Sequence, residues 1–190
     1  MADKIRLDAD HRYWLGDKEV PGYSHIVKSL GVVEDSPFWT EEGREAGTAL
    51  HAWLLHLAQG KPEVSKPDPR IAGKVEGIRK FLRESGFKLA FGEVAQYEPV
   101  LRYACTPDLC GTLGMFSVNI DMKAGAKQKS HPLQLAAQKI ALCYHPFRVQ
   151  KSFSLYLKEG DYRLVEQDTR THEANWRIFM AAYHSRGEYK

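Results

Sequence analysis

The middle of the chain changes its hydrophobic period, and this change constrains the fold more than any other feature. From Phe91 to Gly125 the sequence FGEVAQYEPVLRYACTPDLCGTLGMFSVNIDMKAG is rich in β-branched and aromatic residues and is interrupted by glycines. Such residues favour half-buried strands, and glycine between apolar runs is typical of turns. We therefore predict three or four β-strands here, between regions of helical periodicity.

Helical periodicity dominates the first half of the sequence. A hairpin with its turn at Gly16 and Asp17 is predicted first, followed by a short helix with Ser24 as its N-cap. A third helix is predicted to begin at Asp68 and Pro69. Between them lies a longer helix, whose apolar face consists of Ala46, Leu50, Trp53, Leu54 and Leu57.

The last third of the chain alternates between helix and strand. HPLQLAAQKIALCYH predicts a helix, FRVQKSFSLYLKEGDYRLVEQ predicts two antiparallel strands, and residues 171–185 predict a closing helix. A length of 190 residues without a repeat fits one domain over residues 1–190. The predicted fold class is therefore α+β, with a central mixed β-sheet flanked by helices and a helical N-terminal half.

Composition excludes several classes of protein. The sequence has no apolar run long enough for a membrane span, and its N-terminus, MADKIRLDADHRYW, lacks the apolar stretch of a signal peptide, so we expect a cytoplasmic protein without a membrane partner. Three cysteines do not make a disulfide framework. A net charge of +3 does not by itself indicate a nucleic-acid binder. The lysine-rich run MKAGAKQKSH is either a solvated loop or a cationic surface for phosphates.

The stretch NIDMKAG holds an acid and a lysine two positions apart. Because side chains alternate along a strand, Asp121 and Lys123 point to one face and Met122 to the other. Alone, the pair reads as a surface ion pair, but a hairpin would bring Asp108 of TPDL beside Asp121. Two carboxylates and the backbone carbonyl of Met122 would make a Mg²⁺ or Mn²⁺ site. Lys123 would then orient a water molecule and stabilise charge on a phosphate.

These residues resemble the signature of the PD-(D/E)XK nuclease superfamily, in which P-D is followed by D-x-K. GTALH, which ends at His51, is similar to the G-x-x-x-H motif of the RecB-like branch. QLAAQ, which starts at Gln134, is similar to the Q-x-x-x-Y motif of that branch. The order of His51, Asp108, Asp121, Lys123 and Gln134 along the chain also matches the branch.

The resemblance, over roughly residues 10–158, implies a restriction-endonuclease-like fold and a Mg²⁺- or Mn²⁺-dependent deoxyribonuclease that leaves a 5′-phosphate. It makes His51 a further metal ligand and Gln134 a residue that holds the lysine or a backbone phosphate. Similarity to phage-encoded members implies an exonuclease of bacterial or phage origin that processes DNA ends in recombination or replication. A homo-oligomer and a recombination or single-strand-annealing partner are left open.

The chain departs from the family pattern at one motif position and lacks the cysteines of some relatives. Gln138 stands where the motif has tyrosine; it keeps a polar tip for DNA one helical turn from Gln134, but it cannot stack on a base. Relatives with an iron–sulfur cluster place one cysteine before the core and three near the C-terminus. This chain has none before Cys105 and none after Cys143, so we expect no iron–sulfur cluster.

Further residues are candidates for contact with metals or DNA. Glu98 is either a surface acid or, as in related members, an additional acid that faces the metals. Arg44, about two helical turns before the motif histidine, pairs with a neighbouring glutamate or grips a phosphate. Lys127 and Lys129 in the lysine-rich run are candidate DNA contacts. Trp39 is a candidate for stacking on an unpaired base.

Two other functions stay open beside the nuclease. A DNA-binding module without turnover would use the lysine-rich run, but it has no need of paired carboxylates that face a phosphate. A restriction-type endonuclease would cut circular DNA at fixed sites, but the sequence shows no separate region for target recognition. The set of two acids and a lysine therefore favours a nuclease, and the resemblance to phage-encoded members implies that it acts on DNA ends.

Overall fold

The computed structural model describes residues 4–32, 40–63 and 65–188, and Trp39 lies outside these ranges. None of the described helices is both long enough and apolar enough to cross a membrane. The described residues form, in order, β1 (Ile5–Leu7), β2 (Tyr13–Leu15), β3 (Lys18–Val20), α1 (Tyr23–Ser29), α2 (Glu41–Ala58), α3 (Ala72–Glu84), β4 (Lys88–Phe91), β5 (Gln96–Glu98), β6 (Tyr103–Cys105), β7 (Leu109–Leu113), β8 (Phe116–Lys123), α4 (His131–Leu142), β9 (Lys151–Lys158), β10 (Asp161–Gln167) and α5 (Arg170–Glu188).

A central sheet of five strands has the order β10-β9-β8-β7-β4. Strands β4, β7 and β8 pair antiparallel, as do β9 and β10, whereas β8 and β9 run parallel. Parallel neighbours need a crossover connection, and α4 lies within it. The prediction of an α+β fold with a central mixed sheet is therefore confirmed.

The N-terminal half is not mainly helical, so this part of the predicted fold class is wrong. Strands β1, β2 and β3 form a separate antiparallel sheet of three strands. The turn residues Gly16 and Asp17 did predict the β2–β3 hairpin. The extra strand β1 was missed because three residues are too few to show a period of two.

Two helices begin at positions that differ from the predicted ones. Helix α1 has Gly22 as its N-cap, so Ser24 lies inside the first turn. Helix α3 begins at Ala72 instead of Pro69 or its neighbours. Before it, the Asp68 carboxylate accepts a hydrogen bond of 2.9 Å from the backbone N–H of Arg70, which closes a separate turn.

Two apolar clusters hold the helices in place. The larger lies between α2, α3 and the central sheet, where Leu50, Ile78 and Ile120 are fully buried. The smaller joins α1, β6, α4 and α5 around the fully buried Trp176. Each large apolar side chain that is buried contributes about 1.5–3 kcal/mol. These clusters fix α2 and α4, which carry predicted site residues, relative to the sheets.

Candidate active site

The β7–β8 hairpin brings the two predicted aspartates together. Its register pairs Leu109 with Ile120, so Asp108, which precedes β7, lies opposite the end of β8. The Asp108 Oδ2 atom accepts a hydrogen bond of 2.7 Å from the backbone N–H of Met122. Asp108 and Asp121 are both buried. The predicted hairpin is present, and it places both carboxylates at one end of the central sheet.

Lys123 lies against Asp121 and against helix α4. Its Nζ atom is 2.6 Å from Asp121 Oδ2 and donates a hydrogen bond of 2.8 Å to Gln134 Oε1. Asp121 is buried, and the side chain of Lys123 is only 18% exposed. The pair is therefore not the exposed surface ion pair that an isolated D-x-K would suggest.

Gln138 is buried and holds Asp121 from helix α4. Its Nε2 atom donates a hydrogen bond of 3.2 Å to Asp121 Oδ1, and its Oε1 atom accepts one of 3.1 Å from Asn119 Nδ2. Asn119 Oδ1 in turn accepts a hydrogen bond of 2.6 Å from Ser152 Oγ. Both ends of the Gln138 amide are thus engaged inside the protein. This placement makes Gln138 a positioning residue for Asp121, and its predicted contact with DNA stays a prediction.

Helix α2 brings His51 to the carboxylates. His51 Nδ1 lies 3.2 Å from Glu93 Oε1 and 3.4 Å from Asp108 Oδ1. The potential ligand atoms of these three residues all lie within 4.8 Å of one another. One cation can contact atoms at such spacing, because metal–ligand distances are about 2.0–2.6 Å. We call His51, Glu93 and Asp108 the ligand group.

Glu93 is a site residue that the sequence prediction missed. Its φ of 52° is left-handed, a conformation that is uncommon outside glycine and is found preferentially at functional sites. Its backbone N–H donates a hydrogen bond of 3.0 Å to the Pro107 carbonyl. A Cβ atom at Gly92 would lie 2.4 Å from the Asp108 carbonyl oxygen, so only glycine allows this close approach. The packing against the segment before β7 therefore fixes the position of Glu93.

Strand register within the folded sheet is what places Glu93 at the site. Strand β4 pairs antiparallel with β7, and Phe91 lies opposite Cys110. Counting two residues onward from Phe91 and two back from Cys110 places Glu93 opposite Asp108. The predicted additional acid was Glu98 instead, because its position along the chain resembles that of an acid in related members.

Of the predicted metal ligands, Asp121, Met122 and Glu98 are not part of the ligand group, and neither are the three predicted DNA-contact cations. Glu98 is buried on β5, where its carboxylate accepts a hydrogen bond from the backbone N–H three residues later. Within the described residues the ligand group contains Glu93 and not Glu98, so a metal contact by Glu98 stays a prediction. Arg44 is exposed and pairs with Glu41, one of the two alternatives for it. Lys127 and Lys129 are exposed between β8 and α4.

Neighbouring charges shift the pKa values of the site. Burial would lower the pKa of His51, but the carboxylates of Asp108 and Glu93 outweigh it and raise that pKa to about 10. Burial raises the pKa of Asp121, although the Lys123 ammonium opposes this. Burial likewise opposes the charged form of Lys123, but Asp121 and Asp108 raise its pKa overall. Lys123 is therefore an ammonium ion at neutral pH.

The donor set fits a hard divalent cation. Carboxylate oxygens are the ligands that Mg²⁺ and Mn²⁺ prefer, and an imidazole nitrogen is a common ligand of transition metals. Asp121 Oδ2 already contacts the Lys123 ammonium at 2.6 Å, so the fit to a cation rests on the carboxylate and imidazole atoms of the ligand group. The ligand group therefore fits Mg²⁺ or Mn²⁺.

A cavity of about 800 Å³, which we call the large cleft, borders the site. The N-terminal sheet, α1, α2 and β6 supply most of its walls, and Tyr13, His25 and Arg44 line it. Thr48, one helical turn before His51, and Gln134 also line it. The three-stranded sheet that the sequence did not predict thus forms one wall of the approach to the site.

Known proteins are similar to this chain in structure. No protein-family model matches the sequence, and a search of curated proteins finds no match. A candidate exonuclease from Eubacterium rectale has a TM-score of 0.54 at 10% identity, over 87% of this chain and 72% of that one. An alkaline exonuclease from Laribacter hongkongensis has a TM-score of 0.45 at 15% identity, over 86% of this chain and 89% of that one. The first of these likenesses shows a shared fold over most of the chain.

Proposed function

We propose that the chain is a Mg²⁺- or Mn²⁺-dependent deoxyribonuclease that hydrolyses phosphodiester bonds at DNA ends. The convergence of Asp108, Asp121 and Lys123 at one end of the β7–β8 hairpin, beside His51, carries this proposal. A carboxylate pair that faces a buried ammonium ion suits a metal and a phosphate better than it suits a passive DNA-binding surface. The fold shared with a candidate exonuclease supports the same activity.

The metal would be held by His51, Glu93, Asp108 and Asp121, with the Met122 carbonyl as a further oxygen ligand. When bound, such an ion supplies positive charge to a phosphate oxygen and makes a bound water more acidic. The carboxylates suit this role, because Mg²⁺ and Mn²⁺ prefer hard oxygen ligands. Gln138 keeps the Asp121 carboxylate in place through its hydrogen bond.

Lys123 acts as a fixed positive charge in this mechanism. Its raised pKa keeps the ammonium protonated, so it orients the attacking water and stabilises negative charge on the phosphate instead of removing a proton. Gln134 holds the ammonium through its Oε1 atom. Hydrolysis forms one P–O bond to the water oxygen and breaks the P–O bond to the leaving oxygen, which takes up a proton.

The finer parts of the proposal rest on the family resemblance. It supports an exonuclease that leaves 5′-phosphates, encoded by a bacterium or a phage and at work on DNA ends in the cytoplasm. It also leaves room for a homo-oligomer and for a recombination or single-strand-annealing partner. Arg44, Lys127 and Lys129 are exposed cations that would contact the phosphates of the DNA.

End-labelled DNA tests the proposal. Single- and double-stranded substrates, linear and circular, are incubated with the protein and Mg²⁺ or Mn²⁺. We expect degradation of linear DNA, a loss of about 10²-fold or more in Lys123→Ala, and full activity in Lys88→Ala, which removes an exposed strand lysine away from the site. Cutting of circular DNA at fixed sites would indicate an endonuclease. Retardation of DNA without degradation by any variant would indicate a binding module and overturn the proposal.

A further inference from the structure

A second cavity, which we call the small pocket, shares Gln134 with the large cleft as a lining residue. Its volume is about 290 Å³, against about 800 Å³ for the cleft. Helix α1, the segment after β8 and the start of α4 enclose it. Its lining consists of Tyr23, Ser24, Val27, Lys28, Lys123, Gly125, Ala126, Gln128, Ser130, His131 and Gln134.

The small pocket and the large cleft meet at the catalytic lysine. Tyr23, Ser24 and Gln134 line both cavities. Lys123 lines the small pocket, and its Nζ atom donates a hydrogen bond of 2.8 Å to Gln134 at the boundary. A strand that runs from the cleft into the pocket therefore passes its phosphate over Lys123.

The walls of the small pocket suit the parts of a nucleotide. Lys123, Ser24 and Gln128 offer donors for a phosphate, a sugar hydroxyl or a base edge. The Tyr23 ring offers an apolar face, and a base can stack on such a ring. The Tyr23 hydroxyl donates a hydrogen bond of 3.3 Å to the Ser130 carbonyl, which holds the ring in the wall.

Size limits what the small pocket can hold. Its volume is close to the lower end of the ~300–1,000 Å³ that is typical of small-molecule sites. We propose that it holds the single nucleotide beyond the scissile phosphate and is a product site for a nucleoside monophosphate. This inference rests on the proposed function, and it adds that the enzyme releases mononucleotides.

Gly125 is a position at which a substitution can fill the small pocket without changing a residue of the ligand group. It lines the pocket, and a Cβ atom built on it finds no other atom within 4 Å. Its backbone is outside the left-handed region, so a larger side chain is not strained there. Gly125→Leu and Gly125→Trp should fill the pocket stepwise. Gly187→Trp is the matched control, because Gly187 on α5 also has open space around its Cβ position.

Calorimetry with thymidine 5′-monophosphate, and separately with the 3′-monophosphate, measures the site directly in Mg²⁺. We expect one or both isomers to bind wild type and Gly187→Trp equally. Affinity should fall in Gly125→Leu and should fall further, by about tenfold or more, in Gly125→Trp. Thermal unfolding of each variant shows that the protein is folded. If neither isomer binds wild type, or if folded Gly125→Trp and Gly125→Leu bind as wild type does, the small pocket is not a nucleotide site.

The binding experiment can fail while the nuclease proposal holds, and the nuclease proposal can fail while the binding experiment succeeds. A wild-type protein that degrades DNA but shows no Gly125-sensitive nucleotide binding would remove the product site and leave the nuclease. Gly125-sensitive binding in a protein that never degrades DNA would remove the nuclease and leave a nucleotide site. In a protein with both properties, labelled DNA should yield mononucleotides from wild type, and longer products as the main species would overturn the inference.

Discussion

The carboxylate of Glu93 depends for its position on the backbone around it. A left-handed conformation outside glycine costs about 1–3 kcal/mol, and Glu93 adopts it with a φ of 52°. The close approach of Gly92 to the Asp108 carbonyl holds the backbone there. This arrangement brings the carboxylate to 3.2 Å from His51 Nδ1. A costly conformation that brings this carboxylate beside His51 and Asp108 supports the proposal that Glu93 is a metal ligand.

We expect Glu93→Gln to weaken Mn²⁺ binding by about tenfold or more, because the amide keeps the size of the side chain but removes a charged oxygen ligand. Glu98→Gln makes the same chemical change on β5, outside the ligand group, and should keep the affinity of wild type. Isothermal titration of metal-free protein with Mn²⁺ compares the two variants. Weaker binding in Glu98→Gln alone would show that the ligand group has been assigned to the wrong acid.

Gln138 stabilises the protein through its two buried hydrogen bonds. Gln138→Leu removes the donor to Asp121 and the acceptor for Asn119, which leaves two buried polar groups without a partner. We expect a loss of about 1–3 kcal/mol in the free energy of unfolding, measured in urea without DNA or metal. Gln134→Leu should cost less, because Gln134 is only half-buried. Equal stability of Gln138→Leu and wild type would favour a role in DNA contact alone.

Geometry alone predicts the site residues that are related over a short range, whereas His51 and Gln134 were predicted through the motif resemblance. Alternation along one strand relates Asp121 to Lys123, and one hairpin relates Asp108 to both. Glu93 could not be reached in this way, because β4 has a register irregularity between Leu89 and Phe91 and joins the sheet through a distant strand. The buried network around Gln138 likewise depends on how α4 packs on the sheet, which the sequence pattern does not specify.

Helix α3 approaches the β9–β10 turn closely at Gly77. A Cβ atom there would lie 2.4 Å from the Asp161 carbonyl oxygen and 3.0 Å from the Lys158 carbonyl oxygen. Lys80, one turn later, also contacts the Asp161 carboxylate at 2.8 Å. A glycine in a helix interior is normally unfavourable, so here the packing of the helix on the turn must offset its cost.

We expect Gly77→Ala to lower the free energy of unfolding by about 1–3 kcal/mol, because the added methyl group forces the helix away from the turn. Gly47→Ala, in the interior of α2, has open space at the Cβ position and should raise stability by about 0.5–1 kcal/mol through helix propensity. Thermal unfolding measures whether each variant is less or more stable than wild type. Stabilisation by both substitutions would show that α3 packs less closely than described.

Element length decides which strands and helices the sequence can predict. Strands β8 and β9 have eight residues each, enough for their alternation to be recognised. Strands β1, β2, β3, β5 and β6 have three residues each, and turn residues are the main signal for them. The start of α3 was predicted at the wrong position because the Asp68 side chain closes a local turn instead of capping the helix.

The arrangement of the whole molecule depends on contacts between distant parts of the chain. A sequence pattern defines the two faces of a strand but not its neighbours, so the parallel pairing of β8 with β9 could not be predicted. The sequence pattern also could not predict that the N-terminal sheet forms a wall of the large cleft. The same pairing sets Tyr156 of β9 opposite Lys123 and within 3.0 Å of His131 at the start of α4.

His131 is therefore buried where these elements meet. Its Nδ1 atom faces the Tyr156 hydroxyl at 3.0 Å and accepts a hydrogen bond of 3.4 Å from the backbone N–H of Gln128. Burial lowers the pKa of His131 to about 4, and two neighbouring lysines add to this against the charge of Asp121. In the folded protein the ring is neutral at physiological pH, with Nδ1 as an acceptor.

We expect His131 alone to lower the free energy of unfolding of the metal-free protein by up to about 3 kcal/mol between about pH 6.5 and pH 4, as the difference between wild type and His131→Gln. In that range His131 binds a proton in the unfolded chain but stays neutral in the folded chain, so acid favours unfolding. Above about pH 6.5 His131 is neutral in both states and costs no stability. Urea unfolding at pH 7.5 and 5 measures the change. His131→Gln, which keeps an acceptor for Tyr156, should reduce the fall, whereas His172→Gln on α5 should preserve it. An equal fall in wild type and His131→Gln would assign the acid sensitivity to other groups.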